Sequence, residues 1–309
     1  MPPYAFFKGD FIPLSEAKVS AMTHALHYGT ACFEGIRGNW NEERKEIYLF
    51  RLEDHYDRLA KSCHVLKIQL PFSVKDLCEI TVELVRRSEF KEDVYIRPLA
   101  YKSSQVLGPR LHNLEDDFFI LVFPPGPYVD YEKGIRCGTS SWRRVDETMI
   151  PPRAKISGLY VNSCFAKTEA NENGFDEAIM LNSQGHVSEG TGENLFIVVK
   201  GMLITPPSFD SILPGITRDT VIRIAKEELG IETIERTITR SELYTADECF
   251  LTGTLAHITP VIEIDHRRVG DGKIGEITQR LQEIYFKVIT GRYEKYIDWC
   301  TPVYSWVKA

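Results

Sequence analysis

The feature that most constrains this chain is a proline-rich break, PPGPYVD at residues 124–130, which lies between two long stretches of mixed strand and helix patterns. Three prolines and a glycine within seven residues stop regular structure and cannot continue a strand. The chain has 309 residues, more than a single hydrophobic core usually serves. We therefore predict an N-terminal domain over residues 1–125, a linker over residues 126–133 and a C-terminal domain over residues 134–309.

Both stretches alternate strand-like and helix-like segments. In the first, CFEGIRGNW and DVYIRPLAY predict strands, and residues 51–67 carry apolar side chains at helical spacing. In the second, helices are predicted over residues 159–174 and 217–228 between further strands. The fold class is therefore α/β, with a smaller N-terminal and a larger C-terminal α/β domain and a ligand site in the cleft between them.

Composition and charge exclude several classes of function. The longest apolar run, Phe118–Phe123, has the length of a buried strand and not of a membrane helix. A net charge of -7 and the absence of long Lys/Arg runs argue against nucleic acid, so we expect small-molecule partners. Seven cysteines without a CxxC pair and an N-terminus without signal-peptide features favour reduced thiols and a cytoplasmic location. His24 and His27 lack an evident third ligand, so no metal is predicted.

The segment SEGTGENLF, residues 188–196, carries two glutamates on a glycine-containing turn. It fails as a dinucleotide fingerprint, because Leu195 takes the place of the third glycine and a strand follows where a helix is required. An ordinary tight turn explains the glycines. A turn at a strand end can equally aim Glu189 or Glu193 into a cleft, and the residues alone leave both readings open.

Two further segments offer donors for an anion. In LPGITRD, Pro-Gly-Ile-Thr precedes the helix predicted from about Thr217, so the N–H groups of Ile216 and Thr217 are available to a phosphate. The sequence TGT at residues 252–254 follows a strand and offers another cup of N–H and hydroxyl groups.

Two arginines leave alternatives open at this level. On its helix Arg58 can pair with Asp54 or clamp a phosphate. In the strand VYIRP, Tyr95 and Arg97 face the same side, where they form either an exposed polar face or a carboxylate site.

Together these blocks resemble the fold-type IV pyridoxal-phosphate enzymes, and most closely the branched-chain amino-acid aminotransferases. The matching segments are HALHYGTACFEGIRG, HYDRLAKS, VYIRP, AKISGLY, SEGTGENLF, LPGITRD and TGTLAHITP, which span residues 24–260 in family order. The resemblance therefore covers most of the chain. It implies transamination of Leu, Ile and Val with 2-oxoglutarate, and pyridoxal 5'-phosphate as the cofactor.

The resemblance also implies a role for individual positions. Lys155 matches the lysine that bonds to the cofactor and moves the proton, and a neighbouring cation and exclusion of water would favour its unprotonated amine. Tyr160 matches the partner of the phenolic oxygen, and Glu189 that of the pyridine nitrogen. The phosphate cup corresponds to Arg58, Ile216, Thr217, Gly253 and Thr254.

For the substrate, the resemblance places Tyr28, Phe33 and Tyr95 around an apolar pocket, with Arg97 at its edge for the distal carboxylate of glutamate. It also implies a homodimer or a higher homo-oligomer. The sequence departs from the family pattern at Leu255, where a small residue is expected, and at His257, where an acid is expected. Residues 102–113 also match poorly, so substrate range is the weakest part of the prediction.

Three alternatives remain. A D-amino-acid or R-selective amine transaminase shares the fold, and so does a lyase acting on aminodeoxychorismate. A non-catalytic small-molecule binding protein could also have inherited it, although such a protein has no use for the amine of Lys155.

Overall fold

The computed structural model describes residues 4–126 and 130–305; residues 1–3, residues 127–129 of the predicted linker and residues 306–309 lie outside the described part. The chain divides into two compact units. The first contains the described chain up to Gly126, the segment Ala154–Gly158 and the chain from Lys287 onward, and the second contains the intervening residues up to Arg153 together with Leu159–Phe286.

This grouping departs from the continuous domains predicted from sequence. Residues 154–158 and the C-terminal residues from 287 belong to the first unit. The reason is strand pairing, since Cys300–Pro302 pairs with Glu46–Phe50 and Ile156 forms a β-bridge with Cys32. Lys155, which was assigned to the C-terminal domain, therefore lies in the first unit.

Seventeen strands occur in the described residues. In chain order they are β1 (Tyr4–Phe7), β2 (Asp10–Pro13), β3 (Ala31–Phe33), β4 (Ile36–Asn41), β5 (Glu46–Phe50), β6 (Val94–Lys102), β7 (Asp116–Phe123), β8 (Ile135–Arg143), β9 (Glu177–Leu181), β10 (Val187–Gly190), β11 (Asn194–Val199), β12 (Met202–Thr205), β13 (Thr233–Glu235), β14 (Glu248–Gly253), β15 (His257–Ile264), β16 (Arg267–Arg268) and β17 (Cys300–Pro302).

The described α-helices follow the apolar spacing of the sequence. They are α1 (His24–Tyr28), α2 (Leu52–Val65), α3 (Val74–Arg87), α4 (Tyr160–Glu172), α5 (Ile216–Leu229), α6 (Arg240–Leu243) and α7 (Glu276–Ile289). None of the helices in the described ranges is long and apolar enough to cross a bilayer. Helix α5 ends where Gly230 adopts φ +67°, a left-handed conformation that glycine accepts without strain.

The first unit is built on an antiparallel sheet in the order β17-β5-β4-β6-β7-β1-β2, with β3 also paired to β6. Helices α2 and α3 pack together, and α3 packs on β1. Helix α3 starts with a capping box between Ser73 and Asp76. The predicted single strand CFEGIRGNW is interrupted at Glu34 and Gly35, because the Glu34 side chain turns into the protein to meet α2.

The second unit is a mixed sheet in the order β10-β9-β8-β15-β14-β11-β12-β13, with β16 added to β15. Strand β8 is parallel to both β9 and β15, and β12 is parallel to β13. Helix α4 packs on β8 and β9, and α5 on β14. The first residues of SEGTGENLF belong to strand β10, so the turn predicted there is confined to residues 191–193.

Candidate active site

Backbone hydrogen bonds on both sides of its Cα fix Lys155 in the first unit. Its N–H donates to Ser62 Oγ on α2 at 3.0 Å, and its carbonyl oxygen accepts the N–H of Phe33 on β3 at 3.1 Å. The next residue, Ile156, bridges to Cys32. The Nζ atom lies 5.1 Å from the centroid of the Phe33 ring. The lysine is therefore held against a helix and a strand, and is not one of many solvated surface cations.

Two glycines close the same segment against the end of α1. The N–H of Gly158 donates to the Gly29 carbonyl oxygen at 3.2 Å. A Cβ on Gly29, whose φ is +65°, would lie 2.7 Å from the Cα of Gly158. Only glycine at position 29 permits this approach of the two backbones.

Arg58 projects from α2 to a fully buried carboxylate. Its Nε donates to Glu34 Oε1 at 2.7 Å and its Nη2 to Oε2 at 2.9 Å. His55, one turn earlier, donates from Nδ1 to Oε2 at 2.7 Å. Asp54, the partner considered from sequence, accepts the Nε–H of Arg51 at 2.6 Å. Arg58 is thus part of a buried network that local spacing did not reveal.

Burial and charge act in opposite directions in this network. Burial tends to raise the pKa of the Glu34 carboxyl, but Arg58 and His55 outweigh it and hold that pKa well below its usual range. Burial lowers the pKa of His55, and the charges of Arg58 and Lys155 add to this, although Glu34 opposes it. The network therefore holds one carboxylate, one guanidinium and a neutral imidazole at neutral pH.

The predicted substrate residues on β3 and β6 are in mutual contact. Arg97 Nη2 donates to Tyr95 Oη at 3.0 Å, and the guanidinium carbon lies 4.5 Å from the Phe33 ring centroid. A Cβ on Gly35 would lie 2.0 Å from Tyr95 Oη, so the absence of a side chain there makes room for the tyrosine. The shared face of Tyr95 and Arg97 is therefore confirmed, and an aromatic ring covers it.

Tyr28 lies elsewhere, against the poorly matching residues 102–113. Its hydroxyl accepts the N–H of Gly108 at 2.8 Å. His24, fully buried, contacts Gly108 O at 2.9 Å through Nε2 and Thr30 Oγ1 at 2.8 Å through Nδ1. His27 Nε2 contacts Ala21 O at 2.9 Å. Both histidines considered as metal ligands hold the backbone of this region.

Glu189 anchors the predicted site in the second unit. The residue is 4% exposed, and Arg144 Nη2 contacts its Oε1 at 2.7 Å. Its Oε2 accepts Asn194 Nδ2 and the N–H of Leu213, each at 3.0 Å. Three donors from different elements therefore fix the carboxylate. Glu193, by contrast, turns back on its own turn and accepts the N–H of Gly192 at 3.1 Å.

The start of α5 has the geometry expected of an anion site. Gly215, its N-cap residue, offers no side-chain cap, so the first N–H groups, at Ile216 and Thr217, are not bonded by the cap residue. A Cβ on Gly215 would lie 1.9 Å from Asn194 Oδ1. Because Asn194 also bonds Glu189 and the Leu213 carbonyl, one side chain joins the predicted pyridine contact to the predicted phosphate contact.

Comparison with known proteins identifies the family of this chain. Residues 31–264 match the family model described as amino-transferase class IV. A probable branched-chain-amino-acid aminotransferase of Aquifex aeolicus is 52% identical over 98% of this chain and 97% of its own. The chain belongs to the class IV aminotransferases.

Solved structures extend this comparison over both units. A branched-chain aminotransferase from Thermoproteus uzoniensis with norvaline is 46% identical, covers 97% of this chain and 99% of its own, and gives a TM-score of 0.93. The branched-chain amino acid aminotransferase from Thermobaculum terrenum in its PLP form is 42% identical, covers 98% of each chain, and gives a TM-score of 0.93. The predicted family and α/β fold class are confirmed.

The remaining predicted residues of this class IV aminotransferase lie in the second unit. Tyr160 is the first residue of α4. Gly253 ends β14 beside Glu193, whose Cγ a Cβ on the glycine would approach to 3.4 Å. Thr254 and Leu255 form the turn to β15 and are half-buried.

His257, the second departure from the family pattern, is buried at the start of β15 with φ +54°. Its ring lies 5.3 Å from that of Tyr131, 5.8 Å from that of Tyr285 and 5.2 Å from that of Phe286. The histidine therefore replaces the expected acid with an aromatic packing contact.

Sequence reasoning missed the supporting partners of this class IV aminotransferase site: Glu34, His55, Ser62, Arg144 and Asn194. One signal was available, because His55, Arg58 and Ser62 stand three and four residues apart and so share one helix face. Glu34 and Arg144 carried no local signal, since their partners are distant in sequence.

Proposed function

We propose that this protein is a pyridoxal-phosphate-dependent aminotransferase that exchanges the amino group of L-leucine, L-isoleucine or L-valine with 2-oxoglutarate. The products are branched 2-oxo acids and L-glutamate. The observation that carries this function is the seating of Lys155 between Ser62 and Phe33, with its amine beside an aromatic ring. The norvaline complex and the PLP form of similar enzymes support the same assignment.

The side chains of both units fit the chemistry of pyridoxal phosphate. The cofactor's three polar regions need donors for a phosphate, a carboxylate for the pyridine nitrogen and a hydroxyl for the phenolic oxygen. Glu189 supplies the carboxylate and Tyr160 the hydroxyl. The phosphate donors are Arg58, the N–H groups of Ile216 and Thr217, and the turn at Gly253 and Thr254.

Lys155 carries the proton transfer. Bound pyridoxal phosphate supplies an electron sink for the negative charge that develops on the substrate Cα. Nζ of Lys155 would take the Cα proton of the substrate as a general base and give it up again as a general acid. Glu189 favours the protonated ring nitrogen, because a nearby negative charge stabilises the cationic form. In the second half of the reaction Lys155 would move the proton in the opposite direction, so that 2-oxoglutarate receives the amino group and leaves as L-glutamate.

The contacts of Arg97 support one pocket for two kinds of substrate. Its guanidinium stacks on Phe33 and bonds Tyr95, so an aliphatic side chain meets the aromatic faces while the arginine remains available to a carboxylate. Tyr28 and Leu255 are also proposed to contact the substrate. The change Arg97→Ala should reduce kcat/KM for 2-oxoglutarate by about 100-fold, the effect of losing a charged hydrogen-bonding partner. It should reduce kcat/KM for 4-methyl-2-oxopentanoate much less; equal losses would contradict dual use.

Further observations support a proposed quaternary structure and location. Large apolar side chains are exposed on the first unit, among them Leu26 at 66% and Leu107 at 60%, which supports a homodimer or larger homo-oligomer. Light scattering coupled to size-exclusion chromatography tests the oligomeric state.

All seven cysteines are free thiols, which supports the cytoplasm as the location.

A panel of amino donors tests the proposed function. With 2-oxoglutarate and pyridoxal phosphate present, L-leucine should be used, whereas D-alanine and (R)-1-phenylethylamine should be poor donors. Lys155→Ala should abolish turnover, and Lys61→Ala, which changes an exposed lysine on α2, should retain it. No rate with L-leucine would reject the branched-chain assignment, and release of pyruvate from aminodeoxychorismate would reveal a lyase. Protein that takes up no cofactor would be a non-catalytic binding protein.

A further inference from the structure

We propose that Glu34 is a positioning residue for cofactor binding: it sets the orientation of Arg58 toward the phosphate. This inference rests on the proposed function, because it takes Arg58 to be a phosphate donor. Glu34 itself does not touch the cofactor in this account. Its effect is exerted through Arg58 and α2.

The geometry of the pair is that of a two-point clamp. Glu34 Oε1 accepts Arg58 Nε at 2.7 Å and Oε2 accepts Nη2 at 2.9 Å, so the carboxylate occupies one edge of the guanidinium. The guanidinium is planar, and fixing one edge at two atoms fixes the direction of every remaining N–H. With Glu34 fully buried and the Arg58 side chain 12% exposed, water cannot easily replace either bond.

The carboxylate is itself held in place. His55 Nδ1 donates to Oε2 at 2.7 Å and the N–H of Gly35 donates to the same oxygen at 3.2 Å. The backbone N–H of Glu34 donates to the Pro98 carbonyl oxygen at 2.9 Å. The Pro98 carbonyl on β6 and the His55 side chain on α2 therefore restrict the rotation of Glu34. A positioning role requires such restriction.

The same contacts reach Lys155 from two directions. On α2, Ser62 follows Arg58 by one turn and accepts the N–H of Lys155 at 3.0 Å. On β3, Phe33 precedes Glu34 and donates its N–H to the Lys155 carbonyl oxygen at 3.1 Å. Both anchors of the lysine therefore lie beside the Glu34–Arg58 pair but do not use the Glu34 side chain, so a change at Glu34 should act through Arg58.

Charge and position predict opposite effects when Glu34 is changed. A carboxylate near a phosphate repels it, so removal of the charge alone should strengthen phosphate binding. Loss of the clamp should weaken it, because Arg58 then loses its fixed direction. The two changes Glu34→Gln, which removes the charge, and Glu34→Asp, which keeps the charge but shortens the side chain, separate these effects.

The experiment measures dissociation constants of cofactor-stripped protein for pyridoxal 5'-phosphate and for pyridoxal, which lacks the phosphate. Both Glu34 variants should raise the constant for pyridoxal 5'-phosphate by about 10- to 100-fold, as expected for lost charged hydrogen bonds. The constant for pyridoxal should change less than about twofold. The control Asp54→Asn, which alters an exposed acid on the same helix, should change neither.

An unchanged or lower constant for pyridoxal 5'-phosphate in both Glu34 variants would overturn the inference. Equal losses for the two ligands would also overturn it, because they would reveal a general structural role. If Glu34→Gln does not fold, Glu34→Asp carries the same comparison, since it retains the counter-ion of the buried arginine. Arg58→Ala separates the two proposals: if that variant keeps its preference for the phosphorylated ligand, the assignment of Arg58 in the proposed function fails.

Discussion

Each unit contains a buried arginine–carboxylate pair with one predicted site residue, and the predicted residue is the arginine in one pair and the carboxylate in the other. In the first unit Arg58 is the proposed ligand-binding group and Glu34 supports it. In the second unit Glu189 is the proposed ligand-binding group and Arg144 supports it. The same kind of ion pair thus holds a proposed cationic ligand-binding group, Arg58, in one unit and a proposed anionic one, Glu189, in the other.

The donors to the two carboxylates differ in one member. Glu34 accepts hydrogen bonds from a guanidinium, an imidazole and a main-chain N–H. Glu189 contacts a guanidinium and accepts hydrogen bonds from a side-chain amide and a main-chain N–H. Breaking a buried pair leaves one charge without compensation, which costs more than an exposed pair contributes. The supporting residues Glu34 and Arg144 should therefore contribute to the stability of the fold, whereas only Arg58 and Glu189 should contact the cofactor.

The largest expected effect is on stability in the second unit. Arg144→Ala leaves Glu189 buried without its counter-ion and should lower the free energy of unfolding by about 3–5 kcal/mol, measured by urea denaturation. Arg153→Ala, whose pair with Glu147 is exposed on both sides, should cost less than about 1 kcal/mol. Similar losses of unfolding free energy in the two variants would show that the buried Arg144–Glu189 pair contributes no more to stability than an exposed pair does.

The next effect separates the ligand-binding carboxylate from its neighbour on the same turn. Glu189→Gln should lower kcat by about 10²–10³, the usual result of removing a group that stabilises developing charge. Glu193→Gln should lower it much less, because that carboxylate bonds the N–H of Gly192 within its own turn. A larger loss in the Glu193 variant would reassign the pyridine contact.

The smallest effect concerns acid sensitivity in the first unit. The pKa of His55 is lowered from 6.5 and that of Glu34 from 4.5. Both groups therefore bind protons more readily in the unfolded chain, and their stabilisation is lost as pH falls below about 6.5 for His55 and about 4.5 for Glu34.

His55→Gln should flatten the pH dependence of unfolding between pH 7 and 5, by up to about 1.4 kcal/mol per pH unit. The control His64→Gln changes an exposed residue of α2 and should behave as the parent protein does. Parallel curves for the His55 variant and the parent would contradict a buried neutral imidazole.

The sequence predicted those parts of the molecule that depend on local pattern or on the family resemblance. Helix α2 follows from its apolar spacing and the end of α5 from Gly230. The resemblance indicated Lys155 and Glu189, which the structure places in constrained positions in separate units.

The supporting residues Glu34 and Arg144 could not be predicted, because their contacts depend on the fold. The sequence pattern predicted Glu34 within a continuous strand, and its partner Arg58 lies 24 residues away. The assignment of residues 154–158 to the first unit likewise depends on a bridge between Cys32 and Ile156 that no sequence period encodes.

Reduction of the holoenzyme with borohydride, followed by peptide mass spectrometry, tests the central claim most directly. The protein should be yellow when loaded with pyridoxal 5'-phosphate, lose that colour on reduction and yield one modified peptide, with the pyridoxyl phosphate group on Lys155. Modification spread over other lysines, or protein that remains colourless and unmodified, would contradict the assignment of Lys155 as the cofactor-binding catalytic residue.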